Sequence, residues 1–319
     1  MVCLDDIRAA QTLLHGIAVR TPLFEWTSPT DHRKLFLKLE NQQPIGAFKL
    51  RGAYNKVASL SEEERQRGVI SYSSGNHAQG VAYAARALRA KVIIVMPANA
   101  PKNKLEATAA LGAEIVIVGP SSEERRLRAE QLAAEHGYVV VPPYNDEKII
   151  AGQGTVGLEI LEDLPAVETV LVPVGGGGLI SGVSAAIKLS HPKVKVIGVE
   201  PELAADAQAS VRTGHIVSWP PEQVSRTIAD GLRAQCIGAI NFQHIHAYVD
   251  AIVAVTEDEI REAMRRLSAN PKTLAEPSGA VAPAAFFFHT AELPPTSINA
   301  AVISGGNIDP KLLAELQPR

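Results

Sequence analysis

The sequence has only two cysteines in 319 residues, Cys3 and Cys236, far apart and in no Cys-x-x-Cys pair. This argues against a disulfide scaffold or a thiolate-held zinc cluster, and a reducing compartment fits. It also lacks an excess of charge of either sign: 31 Lys plus Arg face 34 Asp plus Glu, a net charge of −3. Nucleic acids and anionic membranes call for a basic surface, so neither is expected as a partner. No unbroken apolar run could cross a bilayer, which takes about 20 residues. Residues 169–187 (TVLVPVGGGGLISGVSAAI) carry no charge, but Pro173, four consecutive glycines and two serines make them read as strand, loop and helix. The N-terminus has Asp5 and Asp6 early and no apolar core, unlike a signal peptide. A soluble, cytoplasmic protein is the expectation.

What is present is enough for a full core. The chain is 46% hydrophobic and 20% charged, and its length suits roughly two domains of about 150 residues each. Leu4–His15 has helical spacing and Lys34–Glu40 alternates as a strand, and a helix is expected from Phe48. From Gly68, β-branched runs at Gly68, Lys91, Ala113 and Tyr138 alternate with helical segments Asn76–Arg89, Lys102–Leu111 and Glu123–His136, the last opened by Ser121 and Glu124 as a capping box. A second α/β run follows: helix Ile149–Leu161, strand Thr169–Val174, helix Leu179–Leu189, strand Lys195–Glu200, strand Ala251–Val255, a helix opened by Thr256 and Glu259, a helix around Val281–Phe288, and strand Ile298–Ser304. This pattern predicts an α/β protein with two open twisted, largely parallel sheets and helices on both faces. Residues 68–145 would form a small domain inserted into a large one made of 1–67 and 146–319, the two walling a cleft.

Four segments carry chemistry. Gly175-Gly176-Gly177-Gly178 lies between a strand and a helix, where several backbone N–H groups and the helix N-terminus converge on an anion, a phosphate above all. No Gly-Lys-Ser/Thr follows, and the GxGxxG fingerprint fails at Ile180 or Ser181, though Glu200 stands about where a ribose-binding acid would lie. The bland alternative is a tight turn that lets helix and strand pack closely. Ser73-Ser74-Gly75-Asn76-His77 is a second strand-to-helix turn, able to hold a carboxylate or merely to cap its helix. Lys49, between Phe48 and Leu50 at a helix start, is either a solvated surface lysine or a desolvated, nucleophilic amine. Ser304-Gly305-Gly306-Asn307 ends the last strand. Ligands in open α/β sheets gather beyond the carboxyl ends of strands, and three of the four segments sit there.

Together with Ala151-Gly152-Gln153-Gly154-Thr155, these segments resemble the signatures of fold-type II pyridoxal phosphate enzymes, related to the tryptophan synthase β chain. Among these the chain is most similar to the serine/threonine dehydratase and serine racemase family, over nearly its whole length and with motifs in matching order. The resemblance implies that Lys49 holds pyridoxal 5'-phosphate as a Schiff base and that Phe48 flanks its ring. Gly175, Gly176, Gly177 and Gly178 would cup the phosphate, Asn76 would bond the ring hydroxyl, and Ser304 the ring nitrogen. Ser73, Asn76 and His77 would surround the substrate carboxylate. Ser74 falls where serine racemases keep a second proton-transfer group, and Arg125 where racemases carry an arginine near the substrate; by its surroundings alone Arg125 also reads as a solvated helix charge. Glu276, in Glu276-Pro277-Ser278-Gly279, matches a segment near the ring without a definite role. Glu200, the Ala204 carbonyl and Asp206 match a divalent-cation site, and such hard oxygen ligands suit Mg²⁺ or Ca²⁺. His244 and His246, an i, i+2 pair without a partner acid or thiol, read as structural.

The implied reaction is loss of water from a hydroxy amino acid of the L-serine/L-threonine class, with Lys49 removing the Cα proton, giving a 2-oxo acid and ammonia. Serine racemisation through Ser74, alone or alongside, is an alternative, and so is 3-hydroxyaspartate dehydration through Arg125. A nicotinamide-dependent oxidoreductase and a non-catalytic binding module remain as readings from other classes. The chain departs from the family at Ile45-Gly46-Ala47, so ATP regulation is not expected, and at Pro143-Tyr144-Asn145, where Tyr144 is expected to line the site. Neither an appended regulatory domain nor isoleucine feedback is expected, and the family implies a homodimer.

Overall fold

Two sheets organise the computed structural model, which describes residues 1–27, 32–73, 75–98, 100, 102–119 and 122–316. The strands are β1 (Leu23–Trp26), β2 (Lys34–Leu39), β3 (Val69–Tyr72), β4 (Val92–Pro97), β5 (Glu114–Val118), β6 (Val139–Val140), β7 (Thr169–Pro173), β8 (Lys195–Pro201), β9 (Ala251–Val255) and β10 (Ile298–Ile303). The larger sheet has the order β1-β2-β10-β7-β8-β9 and the smaller β5-β4-β3-β6. Every neighbouring pair is parallel except β1 with β2. The smaller sheet is drawn entirely from 69–140, whereas the larger takes strands from both sides of that stretch. Its β2–β10 pair, with Leu39 opposite Ile303, joins the early chain to the late chain.

The strands read as continuous apolar runs because both faces of each sheet are covered. In β10, Ala301 and Ile303 enter one core cluster while Ala300 and Val302 enter another. In β4, Val92, Ile94 and Met96 face one way and Ile93 and Val95 the other. The expected strands and helices appear within a few residues of their sequence bounds, and Thr256 with Glu259 forms the capping box of helix Glu257–Leu267. Ser121, the expected cap of the Ser122–His136 helix, lies outside the described residues. The run at Tyr138 shortens to Val139–Val140, since Pro142 and Pro143 have no N–H to continue a ladder. The periodicity reading did not anticipate β1, the helices Asp206–Thr213, Pro221–Val224 and Ala239–Tyr248, or the helix Glu62–Arg67, whose all-polar sequence is opened by a Ser61/Glu64 capping box.

Helix approach explains the Gly152–Gly154 motif. Helix Glu147–Asp163 packs on helix Lys49–Ala58 and on helix Gly178–Ser190. A Cβ at Gly152 would stand 2.6 Å from the Arg51 carbonyl oxygen and 2.7 Å from Gly52 Cα, and one at Gly154 3.0 Å from the Gly182 carbonyl oxygen. At Gly152 backbone, not a movable side chain, lines the contact, whereas at Gly154 the Ile7 side chain is as close as the backbone. We expect Gly152→Ala to destabilise the protein by about 1–3 kcal/mol, as overpacking does, read as a lower urea midpoint. An unchanged midpoint would contradict this packing.

Candidate active site

Three chain segments meet at the carboxyl edge of the larger sheet. Ala47 pairs with Gly305, Phe48 N donates to the Ser304 carbonyl at 3.1 Å, Gly306 N to the Gly46 carbonyl at 2.9 Å, and Glu276 N to the Gly305 carbonyl at 3.1 Å. These bonds bring the start of helix Lys49–Ala58 beside the segment that leaves β10. The Lys49 Nζ reaches across to donate to the Pro143 carbonyl at 2.7 Å, just past the smaller sheet, and lies 5.3 Å from the Phe48 ring centroid. Burial pulls its ammonium down to about 8. At mildly alkaline pH a substantial fraction is therefore a neutral, nucleophilic amine.

The Asn76 amide is fixed from both sides. Its Nδ2 donates to Glu276 Oε1 at 2.6 Å, and its Oδ1 accepts from Asn307 Nδ2 at 2.8 Å, which also donates to the Ile45 carbonyl at 2.9 Å. Burial first, and the Asp230 charge second, push the Glu276 carboxyl up to about 7. Asp230 pairs with Lys104, so two polar links span the cleft between the sheets, and a cavity lined by Lys104, Asp230, Asn307 and Pro277 opens beside them. The Ser304 Oγ is buried and donates to the Ser278 carbonyl at 3.3 Å.

The other carboxylate-turn residues are placed differently from one another. Ser73 Oγ accepts from Gly75 N at 3.3 Å at the mouth of the turn. The His77 ring is buried and faces the sheet: its Nε2 donates to the Val141 carbonyl at 3.1 Å and its Nδ1 has no partner. Burial, then the nearby Lys49 charge, hold it down at about 3, so the ring is neutral. Ser74 lies outside the described residues. Arg125 sits partly buried in the first turn of helix Ser122–His136, and that burial holds its pKa below the ordinary arginine value.

The glycine loop joins β7 to helix Gly178–Ser190, and Gly177 adopts the left-handed conformation, φ 92°. Among the described residues, the N–H groups of Gly175 to Gly178 donate to no protein acceptor. The Tyr144 ring packs directly against Gly176, where any side chain would collide with it, so Tyr144 does line this loop. Four unpartnered N–H groups at a helix N-terminus fit a phosphate. Lys49 reaches the Pro143 carbonyl, the next residue Tyr144 packs on Gly176, and Phe48 is bonded to Ser304, so the residues present fit pyridoxal phosphate.

Glu200, near the end of β8, and Asp206, opening helix Asp206–Thr213, are both fully buried. Glu200 accepts from Ala207 N at 3.0 Å and Gln208 N at 2.8 Å, whereas neither Asp206 oxygen has a partner. Burial pushes both carboxyls up, Asp206 to about 7. Ala204 is buried in the intervening turn. Among the described residues no three His, Cys, Asp or Glu side chains gather as a metal cluster. Two buried carboxylates and a carbonyl, one carboxylate unpartnered, nevertheless fit a hard divalent cation. The His244 ring is committed to structure: Nδ1 donates to the Ile240 carbonyl at 2.8 Å and Nε2 accepts from Val2 N at 2.9 Å.

The sequence reading missed the partners of Asn76 and the charges below Lys49, namely Lys38, Glu40, Arg51 and Glu159. Apart from Arg51 with Glu40, eleven positions apart, these contacts join residues more than a hundred positions apart, and no local pattern announces them.

Known proteins resemble this chain along nearly its whole length. The profile of the family described as "Pyridoxal-phosphate dependent enzyme" matches residues 16–305. An L-threonine ammonia-lyase of Thermotoga maritima is 46% identical over 98% of this chain and 77% of its own. A catabolic L-threonine dehydratase of Escherichia coli is 40% identical over 97% of this chain and 94% of its own. The solved structure of maize serine racemase superposes with a TM-score of 0.94 at 37% identity, covering 98% of this chain and 96% of the other.

The Lys49 environment gives a pH expectation. In cofactor-free protein, acylation of Lys49 followed by peptide mapping should be half-maximal near pH 8, the amine becoming reactive as pH rises through its depressed pKa. A midpoint near the ordinary lysine value of about 10.4 would contradict the desolvated placement.

Proposed function

The chain belongs to the pyridoxal-phosphate dependent enzyme family, and from that premise we propose that it removes water from a hydroxy amino acid of the L-serine/L-threonine class, releasing a 2-oxo acid and ammonia. The observation that carries this reading is the Lys49 amine, pulled down to about 8 at the cleft between the two sheets. Pyridoxal phosphate, when bound, supplies an electron sink conjugated to the substrate Cα. Lys49 would hold it covalently, Gly175 to Gly178 would hold its phosphate, Phe48 would flank its ring, and Asn76 and Ser304 would bond its polar edges.

The protein's own groups then divide the work. The freed Lys49 amine takes the Cα proton, and a pKa near working pH suits a group that must both accept and return a proton. Asn76, Ser73 and the N–H groups of the turn at Gly75 bind and orient the substrate carboxylate. The neutral His77 backs that turn from the sheet side. The Ser304 hydroxyl is an uncharged partner that does not enforce a protonated ring as a carboxylate would. An uncharged partner at that position would suit departure of hydroxide with little charge build-up on Cα.

In this reading residues 68–145 form the small domain, walling the cleft against 1–67 and 146–319; the separate origins of the two sheets support that division. Glu200, Ala204 and Asp206 hold Mg²⁺ or Ca²⁺ away from the reacting atoms, the unpartnered Asp206 carboxylate being the support. The enzyme works as a cytoplasmic homodimer, as its family resemblance implies. Serine racemisation is the second reading, favoured by the likeness to maize serine racemase, with Ser74 returning the proton from the opposite face. Arg125, partly desolvated at its helix start, would pair with the second carboxylate if 3-hydroxyaspartate were the substrate.

The purified protein should absorb in the visible region and convert L-serine or L-threonine to pyruvate or 2-oxobutyrate. Lys49→Ala should lose both colour and product, and Ser74→Ala should lose D-serine formation but keep elimination. A colourless protein that binds a nicotinamide dinucleotide would overturn the reading, and a faster rate on 3-hydroxyaspartate would move the substrate to that acid. Millimolar Mg²⁺ should raise the melting temperature of the wild type and not of Asp206→Asn; an equal rise in both would remove the cation from this site.

A further inference from the structure

Arg51 lies in the first turn of the Lys49–Ala58 helix, two residues beyond Lys49, and is 1% exposed. Its Nε and Nη2 donate to Glu40 Oε2 and Oε1, each at 2.8 Å. Its Nη1 donates to Glu159 Oε1 at 2.7 Å and Thr155 Oγ1 at 3.0 Å, and Nη2 also to Glu159 Oε2 at 2.8 Å. The guanidinium is thus forked onto two carboxylates at once. Lys38, equally buried, donates to Glu159 Oε2 and the Thr21 carbonyl, both at 2.6 Å, so two cations balance two carboxylates. Glu40 additionally accepts from Thr21 Oγ1 at 2.6 Å and Gln43 Nε2 at 3.1 Å.

The two carboxylates come from separate elements. Glu40 directly follows β2, and Glu159 lies in helix Glu147–Asp163. The helix that starts at Lys49 has no side-chain cap: Phe48 is already helical in φ and ψ and offers only its carbonyl, to Arg51 N at 3.0 Å. Its start is held instead by the Phe48 N bond to Ser304 and by the Arg51 fork two residues on. Buried ion pairs are seldom needed for stability, since apolar residues of like volume often serve as well. A planar five-donor fork adds fixed geometry, which a lysine cannot reproduce. Geometry is what a reacting amine requires, because small misplacements cost large factors in rate.

We propose that Arg51, clamped between Glu40 and Glu159, is a positioning residue for Lys49. It sets the rotation and height of the helix's first turn and so the reach of the amine into the cleft, while Lys38 only balances charge. The proposal rests on the reading of Lys49 as the cofactor-bearing lysine.

The test compares holoenzyme of Arg51→Lys and Lys38→Met with wild type. The readouts are kcat and KM per mole of bound cofactor, the pH midpoint of the bound cofactor's visible band, and the melting temperature. For Arg51→Lys, kcat per bound cofactor should fall by about tenfold or more with KM little changed, and the band's pH midpoint should move. Lys38→Met should melt earlier yet keep the wild-type kcat per bound cofactor and pH midpoint. If Arg51→Lys is insoluble, Glu40→Gln is read in the same way. Retention of kcat per bound cofactor and of the band's midpoint in Arg51→Lys or Glu40→Gln, however unstable the variant, would overturn the proposal. A wild type lacking a Lys49-dependent band would instead count against the reading of Lys49 itself, which keeps the two failures distinct.

Discussion

The cleft depends on the parallel pairing of β2 with β10. Because Leu39 lies opposite Ile303, the segments that leave these two strands emerge side by side. One runs through Glu40 and the turn at Gly46 to Lys49; the other is Ser304-Gly305-Gly306-Asn307. Their backbone bonds, from Phe48 to Ser304 and from Gly306 to Gly46, then make one rigid floor of residues more than 250 positions apart. β7 lies on the other side of β10 and delivers the glycine loop to the same edge. An amine, a hydroxyl and an anion cup therefore converge because three parallel strands end together, which is how open α/β sheets make sites.

Below this floor the protein buries full charges, which it can do only in balance. Removing one partner from a buried pair leaves an uncompensated ion and costs about 3–5 kcal/mol. Arg51 and Lys38 against Glu40 and Glu159 meet that condition, and burial would raise the Glu40 carboxyl did Arg51 not hold it below the ordinary range. Among the described residues Lys49 pairs with no carboxylate and offers its proton to a carbonyl instead. The same burial that is neutralised beneath the floor is left uncompensated at the amine, and this is what depresses its pKa. Glu200 and Asp206 are the opposite case, two buried carboxylates that pair with no basic side chain among the described residues, and burial pushes both towards the protonated form.

Most strands and helices were legible from the sequence because their signals are local. Strand Val92–Pro97 opens with four β-branched residues in a row, and helix Glu257–Leu267 announces itself with Thr256 and Glu259. The glycine run and the position of Lys49 were legible for the same reason. What was not legible depends on distance. Nothing near Arg51 indicates that it is buried, since its acids come from residues 40 and 159. Nothing in Gly152 indicates which backbone it admits. Glu276 and Asn307 lie 200 and 231 residues from the Asn76 amide they fix. Likewise His77 sits in a turn suited to carboxylates, yet its ring belongs to the sheet behind, a choice made by the Val141 carbonyl that no local pattern specifies.

The central claim is that one lysine, placed where three strand ends meet and stripped of most of its hydration, carries the chemistry. The most direct measurement is borohydride reduction of the holoenzyme followed by mass spectrometry of its peptides. The account predicts the reduced cofactor on the ε-amine of Lys49 and on no other of the chain's lysines. Cofactor attached elsewhere, or a coloured protein with no reducible attachment at Lys49, would contradict it.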